Sequence, residues 1–274
     1  MRKYVWKQNG PAVRTLQLAL VSKGYSLPKW GVDGDLGEET WRRIEEFAGV
    51  DSFSTQSPLP EDVTDAILAE EIPPEVQPPA GLVRIEGDPA DVHGTRSWQQ
   101  IDTIVLHQTG IWMTDTPKRF RTLNAHFGIL ATHPTPIVQV QSMTAYMWHA
   151  NELNSCAIGI EINGLFPGLA KQFHAEKHTG IGPSASQIQH TRDLIVYIWN
   201  VVASHRGEVR YIVPHRCSND TRRSDPGEVA WREIGGWAQE KLGLCCHGPG
   251  WTVGDGRPIP GEWDERPAYA KYQY

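Results

Sequence analysis

The apolar positions of the chain follow two different periods. In the amino-terminal part Val13, Leu16 and Leu20 recur at helical spacing, which predicts a helix over residues 12–23 that Gly24-Tyr25 ends. Trp41, Ile44 and Phe47 predict a second helix over 38–48, and Val63, Ile67 and Leu68 a third, weaker one over 60–70. Further along, apolar runs of strand length take over, at 101–107, 126–130, 137–141, 157–162 and 211–213. Helical patterns interleave with them at 117–124, 186–205 and 228–242. The middle one is the clearest: Ile188, Ile195, Ile198 and Val202 share a face while Gln189, Arg192 and Asn200 fall away from it, with Pro183 and Ser184 at its start and Gly207 at its end. The expected fold is α/β, a central mixed β-sheet flanked by helices, preceded by a small three-helix domain. No internal repeat is visible.

Breaks in composition set the boundaries. A helical domain over residues 1–72 is followed by a proline-rich linker over 73–81, which reads as extended and semi-rigid. The α/β domain spans 82–245. Residues 246–274 are rich in Gly, Pro, Trp and Tyr without periodicity, either a packed irregular extension or a loose tail. At 274 residues and a net charge of −6, with no long basic run, the chain is not a general nucleic-acid binder. No apolar stretch reaches the length of a signal peptide core or a membrane span, so synthesis in the cytoplasm is expected. Cys156, Cys217, Cys245 and Cys246 show no CxxC spacing, and reduced thiols are expected.

The chemistry concentrates at Tyr211–Gly227, YIVPHRCSNDTRRSDPG. A short apolar run delivers His215 after a proline, and Asp225 sits before Pro226-Gly227, a turn that aims its carboxylate. Upstream, IDTIVLH is another apolar run that ends in a histidine, His107. Two strand-end histidines and a turn-held carboxylate can meet at one rim of a sheet, which makes three protein ligands for a catalytic zinc. The ligand types would also suit non-haem iron. Taken singly, each residue would read as an ordinary histidine or turn aspartate; together they favour zinc. Glu161 lies on the otherwise apolar strand Ile158-Gly159-Ile160-Glu161-Ile162, where an unpaired carboxylate is costly. It is the candidate general base, against a glutamate on a solvated face or in a structural ion pair. Gly159 on the same face leaves room for substrate or metal.

His107-Gln108-Thr109, Ala157-Ile158-Gly159-Ile160-Glu161-Ile162, Pro214-His215-Arg216 and Asp225-Pro226-Gly227 occur in the order of the zinc-dependent N-acetylmuramoyl-L-alanine amidases, which this chain resembles over residues 82–245. The resemblance implies zinc on His107, His215 and Asp225 and cleavage of the amide between the glycan's lactyl group and L-Ala of the stem peptide. It favours Glu161 as the base. It also implies an oxyanion-stabilising cation at Arg223, where relatives often carry lysine, with Arg222 beside it as the rival. Trp148, His149 and Asn154 match a segment that lines the substrate groove, and Trp112 is a candidate for stacking on sugar. His126 fits the pattern as a structural histidine at the sheet edge or behind the ligands. Some relatives use cysteine as third ligand; with Asp225 in that place, Cys217 is expected to stand behind the ligands or to be merely structural.

Asp33-Gly34-Asp35-Leu36-Gly37 and Thr40, with Leu16-Gln17 upstream and Phe47 downstream, resemble a peptidoglycan-binding domain. The loop lacks EF-hand spacing, so calcium is not expected. Together the two resemblances imply a monomeric, bacteriolytic endolysin-like enzyme acting on cell-wall peptidoglycan. An injected antibacterial effector, a muropeptide-recycling amidase and a non-catalytic recognition protein are the alternatives.

Overall fold

The computed structural model describes residues 4–25, 27, 29, 32–68, 76–111, 115–132, 136–248 and 250–264. Trp112, the first part of the expected linker and the last ten residues, 265–274, lie outside them. The chain divides into two compact units, residues 1–75 with 240–243 and residues 76–239 with 244–274.

The first unit holds three helices, α1 (Pro11–Ser22), α2 (Glu38–Ala48) and α3 (Glu61–Leu68). Val13, Leu16, Leu20, Trp41, Ile44 and Ile67 come together with Tyr4, Leu36 and Leu59 in one buried core. Gln17, fully buried on α1, explains why a glutamine stands inside that apolar pattern. Its Nε2 donates to Asp33 Oδ1 (2.7 Å) and Thr40 Oγ1 (2.8 Å), and its Oε1 accepts from Gly34 N (2.7 Å). One side chain thereby staples the 33–40 loop to the helix. Gly34 adopts φ +79, which a β-carbon would disfavour.

The second unit is built on a six-stranded mixed sheet in the order β1-β5-β4-β7-β3-β8. Its strands are β1 (Leu82–Arg84), β3 (Thr103–Gln108), β4 (Phe127–Ile129), β5 (Ile137–Gln139), β7 (Ala157–Ile162) and β8 (Tyr211–Pro214). Within this sheet only β4 and β5 pair antiparallel. A separate ribbon pairs β2 (Val92–Thr95) with β6 (Ala145–Met147). Helix α4 (Ala185–Ser204) packs against β4 and β7. Its start is capped as expected, with Ser184 and Gln187 bonding each other's backbone N–H in a capping box.

Several expectations change. The 117–124 segment is a 3-10 helix, Pro117–Thr122, with Phe120 as its single buried anchor. The 228–242 helix is broken into α5 (Glu228–Ala230), a π-helical stretch at Trp231–Gly236 and α6 (Trp237–Leu242). The carboxy-terminal segment is packed as far as residue 264. Val253 N donates to Cys217 O (2.9 Å) and Arg257 N to Arg216 O (2.7 Å), so the segment runs along the turn that follows β8. Trp263 is fully buried under the Arg216 guanidinium, 4.9 Å from the ring centre. Gly256 permits this approach, because a β-carbon there would collide with the Cys217 carbonyl. Among the described residues no helix is long and apolar enough to cross a membrane.

Candidate metal centre

Parallel register places the site. His107 pairs with Glu161, Val105 with Gly159 and Val105 with Val213, and paired residues share a face. His107, Gly159, Glu161 and Val213 therefore stand on one side of the sheet. His215 follows Val213 by two positions and opens the 3-10 turn His215–Ser218. His107 is not the last residue of its strand, which runs on to Gln108, but it lies at the same rim.

His107 Nδ1 is 2.9 Å from His215 Nδ1, and His215 Nδ1 is 3.0 Å from Asp225 Oδ2. All three residues are buried, and one donor atom from each lies within 4.8 Å of the others. The second oxygen of Asp225 accepts from Gln108 N (2.8 Å), and the Gln108 side chain donates to Ser224 O (2.6 Å). One carboxylate oxygen is thus held by the end of β3 while the other faces the histidines. Burial and the neighbouring histidines hold the His107 imidazole well below its usual range, so it is neutral, as a ligand must be. Two buried imidazole nitrogens facing each other across 2.9 Å beside a carboxylate fit a divalent cation, and two nitrogens with one oxygen fit zinc.

Glu161 adjoins this cluster. Its Oε2 is buried without a hydrogen-bond partner among the described residues. Gly128, its register partner on β4, leaves space that the Phe120 ring fills. Burial first, then the Asp225 charge, push its pKa up to about 8, against a smaller pull downward from Arg222. Arg222 also acts on His107, so its charge reaches the cluster. Arg223 is exposed, and its carbonyl accepts from the Arg216 guanidinium.

The groove candidates separate. Trp148 is 60 % exposed and stacks on His93 at 3.8 Å between ring centres. Asn154 is buried, and its Oδ1 accepts from His149 N (2.9 Å) and Ala150 N (2.7 Å), fixing that turn. His149 points inward to His107, its Nδ1 3.2 Å from His107 Nε2. The space beside Gly159, expected for substrate or metal, is filled by the His149 ring. His126 is structural but not at a sheet edge, since it leads into β4, which lies between β5 and β7. Its Nδ1 accepts from Gly159 N (3.1 Å). Cys217 is buried outside the cluster, its thiol pushed up to about 12 by burial and therefore neutral.

Arg96 escaped the sequence reading. It is 6 % exposed and donates to the carbonyls of Asn154 (3.1 Å), Ala157 (2.6 Å) and Met143 (2.8 Å) beneath the histidines. Burial lowers its pKa to about 10, still charged at neutral pH. An arginine in a polar stretch carries no signal that distinguishes this role from a solvated one.

The second unit is thus an α/β domain with a buried His–His–Asp cluster, able to hold a metal, at one rim of its sheet. Residues 97–228 match the family model for N-acetylmuramoyl-L-alanine amidase, Amidase_2. No curated protein sequence matches the chain. Among solved structures it is similar to the endolysin amidase LysCS from Clostridium intestinale URNW, at 18 % identity over 56 % of this chain and 90 % of that one, TM-score 0.39. It is also similar to AmiD from E. coli in complex with an anhydro-muramyl tripeptide substrate, at 22 % identity over 53 % and 58 % of the two chains, TM-score 0.39. A human peptidoglycan recognition protein bound to a muramyl pentapeptide aligns at 16 % identity over 59 % and 96 %, TM-score 0.38.

Proposed function

We propose that the protein is a zinc-dependent peptidoglycan amidase that cleaves the bond between N-acetylmuramic acid and L-Ala of the stem peptide. The observation that carries this reading is the convergence of His107, His215 and Asp225 beside the buried, unpaired carboxylate of Glu161, inside the family-matched segment. Bound to those three residues, zinc would lower the pKa of a water and polarise the scissile carbonyl. Glu161 receives the proton that the attacking water gives up and passes it to the departing amine of L-Ala. With positive charge held in the cluster, the ionised form that this role needs is favoured. Arg223 is the proposed cation for the negative charge growing on the carbonyl oxygen, and Arg222, whose field reaches Glu161, is its rival. The exposed ring of Trp148 is the proposed contact for substrate.

Mass spectrometry of purified sacculi digested with zinc-loaded protein tests this, beside His215→Ala and Glu161→Ala. Free stem peptides with an L-Ala amino terminus, absent with both variants, are expected. Intact stems with the wild type overturn the reading, and release that survives Glu161→Ala removes the assigned base.

The domain reading belongs to the same proposal. The helical unit over 1–72 holds the enzyme on insoluble wall, 73–81 links, 82–245 cuts, and 246–274 extends the amidase. Such pairing suits a bacteriolytic endolysin working as a monomer. Tethering raises local substrate concentration, so deleting the helical unit lowers activity on sacculi more than on soluble muropeptides.

A further inference from the structure

His149 stands behind the metal cluster with both ring nitrogens engaged by the protein. Its Nε2 lies 3.2 Å from Ala157 O, and its Nδ1 lies 3.2 Å from His107 Nε2. A carbonyl oxygen only accepts, so Nε2 of His149 carries the proton. With that one proton on Nε2, Nδ1 of the buried ring is left with a lone pair. The only hydrogen that can fill the contact with His107 then comes from His107 Nε2. A metal-ligating imidazole is neutral, so with Nε2 protonated the lone pair of His107 is on Nδ1, the atom 2.9 Å from His215 Nδ1.

We infer that His149 is a positioning residue that holds His107 in the Nε2–H tautomer and aims its Nδ1 lone pair at the metal. A single backbone carbonyl, that of Ala157, thereby sets the tautomers of two imidazoles in series. The surroundings are built for this contact. Gly159 is the one residue that admits the ring, because a β-carbon there would lie 2.6 Å from His149 Nδ1. Asn154 Oδ1 pins the backbone N–H of His149 and of Ala150, and Arg96 grips both the Asn154 and the Ala157 carbonyls (3.1 and 2.6 Å). The carbonyl that sets the tautomer is thus held in place by a buried guanidinium. Ligand histidines ordinarily donate their second nitrogen to a carboxylate, a carbonyl or water; here another histidine takes that position.

The inference rests on the metal reading above, and the test separates the two. The imidazole nitrogen NMR spectrum of the metal-free wild type should show His107 protonated on Nε2 and bare on Nδ1. A proton on Nδ1 of His107 overturns the relay. Zinc affinity, read by competition with a chromophoric chelator, should fall roughly 10–100-fold in His149→Phe, which keeps a ring but removes the acceptor. His149→Asn, which returns an acceptor oxygen near the Nδ1 position, should recover part of the loss. Gly159→Ala should weaken zinc in the same direction by displacing a chemically intact His149. Wild-type affinity in a folded His149→Phe overturns the proposal. Should that variant fail to fold, the wild-type spectrum alone decides. A wild type that binds no zinc yet shows the Nε2–H tautomer overturns the metal reading and supports the relay.

Discussion

On one face of β3, β7 and β8 stand Ile104, Leu106, Ile158, Ile160, Ile162 and Ile212, each fully buried. On the other, Val105, His107, Gly159, Glu161 and Val213 lead to His215. Both faces belong to the same strands and are shut away from water to a similar degree, yet they obey different rules. The apolar face gains free energy from area removed from water, and any apolar residue of similar volume would serve it. On the polar face a residue is dictated by a particular neighbour, as Gly159 is by the imidazole that lies against it. That face also costs stability, since a carboxylate is buried there without a partner.

Three experiments can break or sharpen the contrast. Glu161→Gln is expected to reduce hydrolysis of wall fragments by roughly 10²–10⁴-fold. It should not lower the unfolding midpoint of the metal-free protein, because it replaces a buried ionisable group by a neutral one of the same shape. A large loss of stability in this variant would show that the carboxylate has a structural partner. Its neighbour on the opposite face should behave the other way round. Ile160→Ala is expected to lower the unfolding free energy by about 2–5 kcal/mol in urea titrations. Zinc affinity of the folded Ile160→Ala protein should stay at the wild-type value, and a parallel loss of zinc would mean that the faces are coupled.

The smallest expected effect is in pH dependence. In the metal-free protein the Glu161 carboxyl is pushed from an ordinary 4.5 up to about 8, mainly by burial. The folded state therefore holds a proton that the unfolded chain has already released. Its contribution to stability is fully present below about pH 4.5 and is lost as pH rises toward 8. The stability difference between wild type and Glu161→Gln should accordingly shift against the wild type across that window. A difference that is flat from pH 4.5 to 8 would show that Glu161 is ionised throughout.

Local pattern was enough for much of this molecule. The spacing of Val13, Leu16 and Leu20, the run Ala157–Ile162 and the signals around Ser184 each report a period that backbone geometry imposes on a short stretch, so the α/β fold with its helical preface was legible in the sequence. The meeting of His107, His215 and Asp225 was legible too, because two apolar strands that lead to a histidine and a turn that fixes an aspartate can converge at one rim of a sheet. What only the tertiary structure decided depends on partners far away along the chain. The strands β1, β2 and β6 are three or four residues long, too short to show a period, and exist through pairing. Gly159 resembled an open space until His149, ten positions earlier, filled it from a different strand connection. Arg96 resembled a surface residue until three carbonyls from distant segments closed around it. The direction of a buried hydrogen bond, and with it the tautomer of an imidazole, is a property of such long-range contacts and leaves no mark on the composition of either segment.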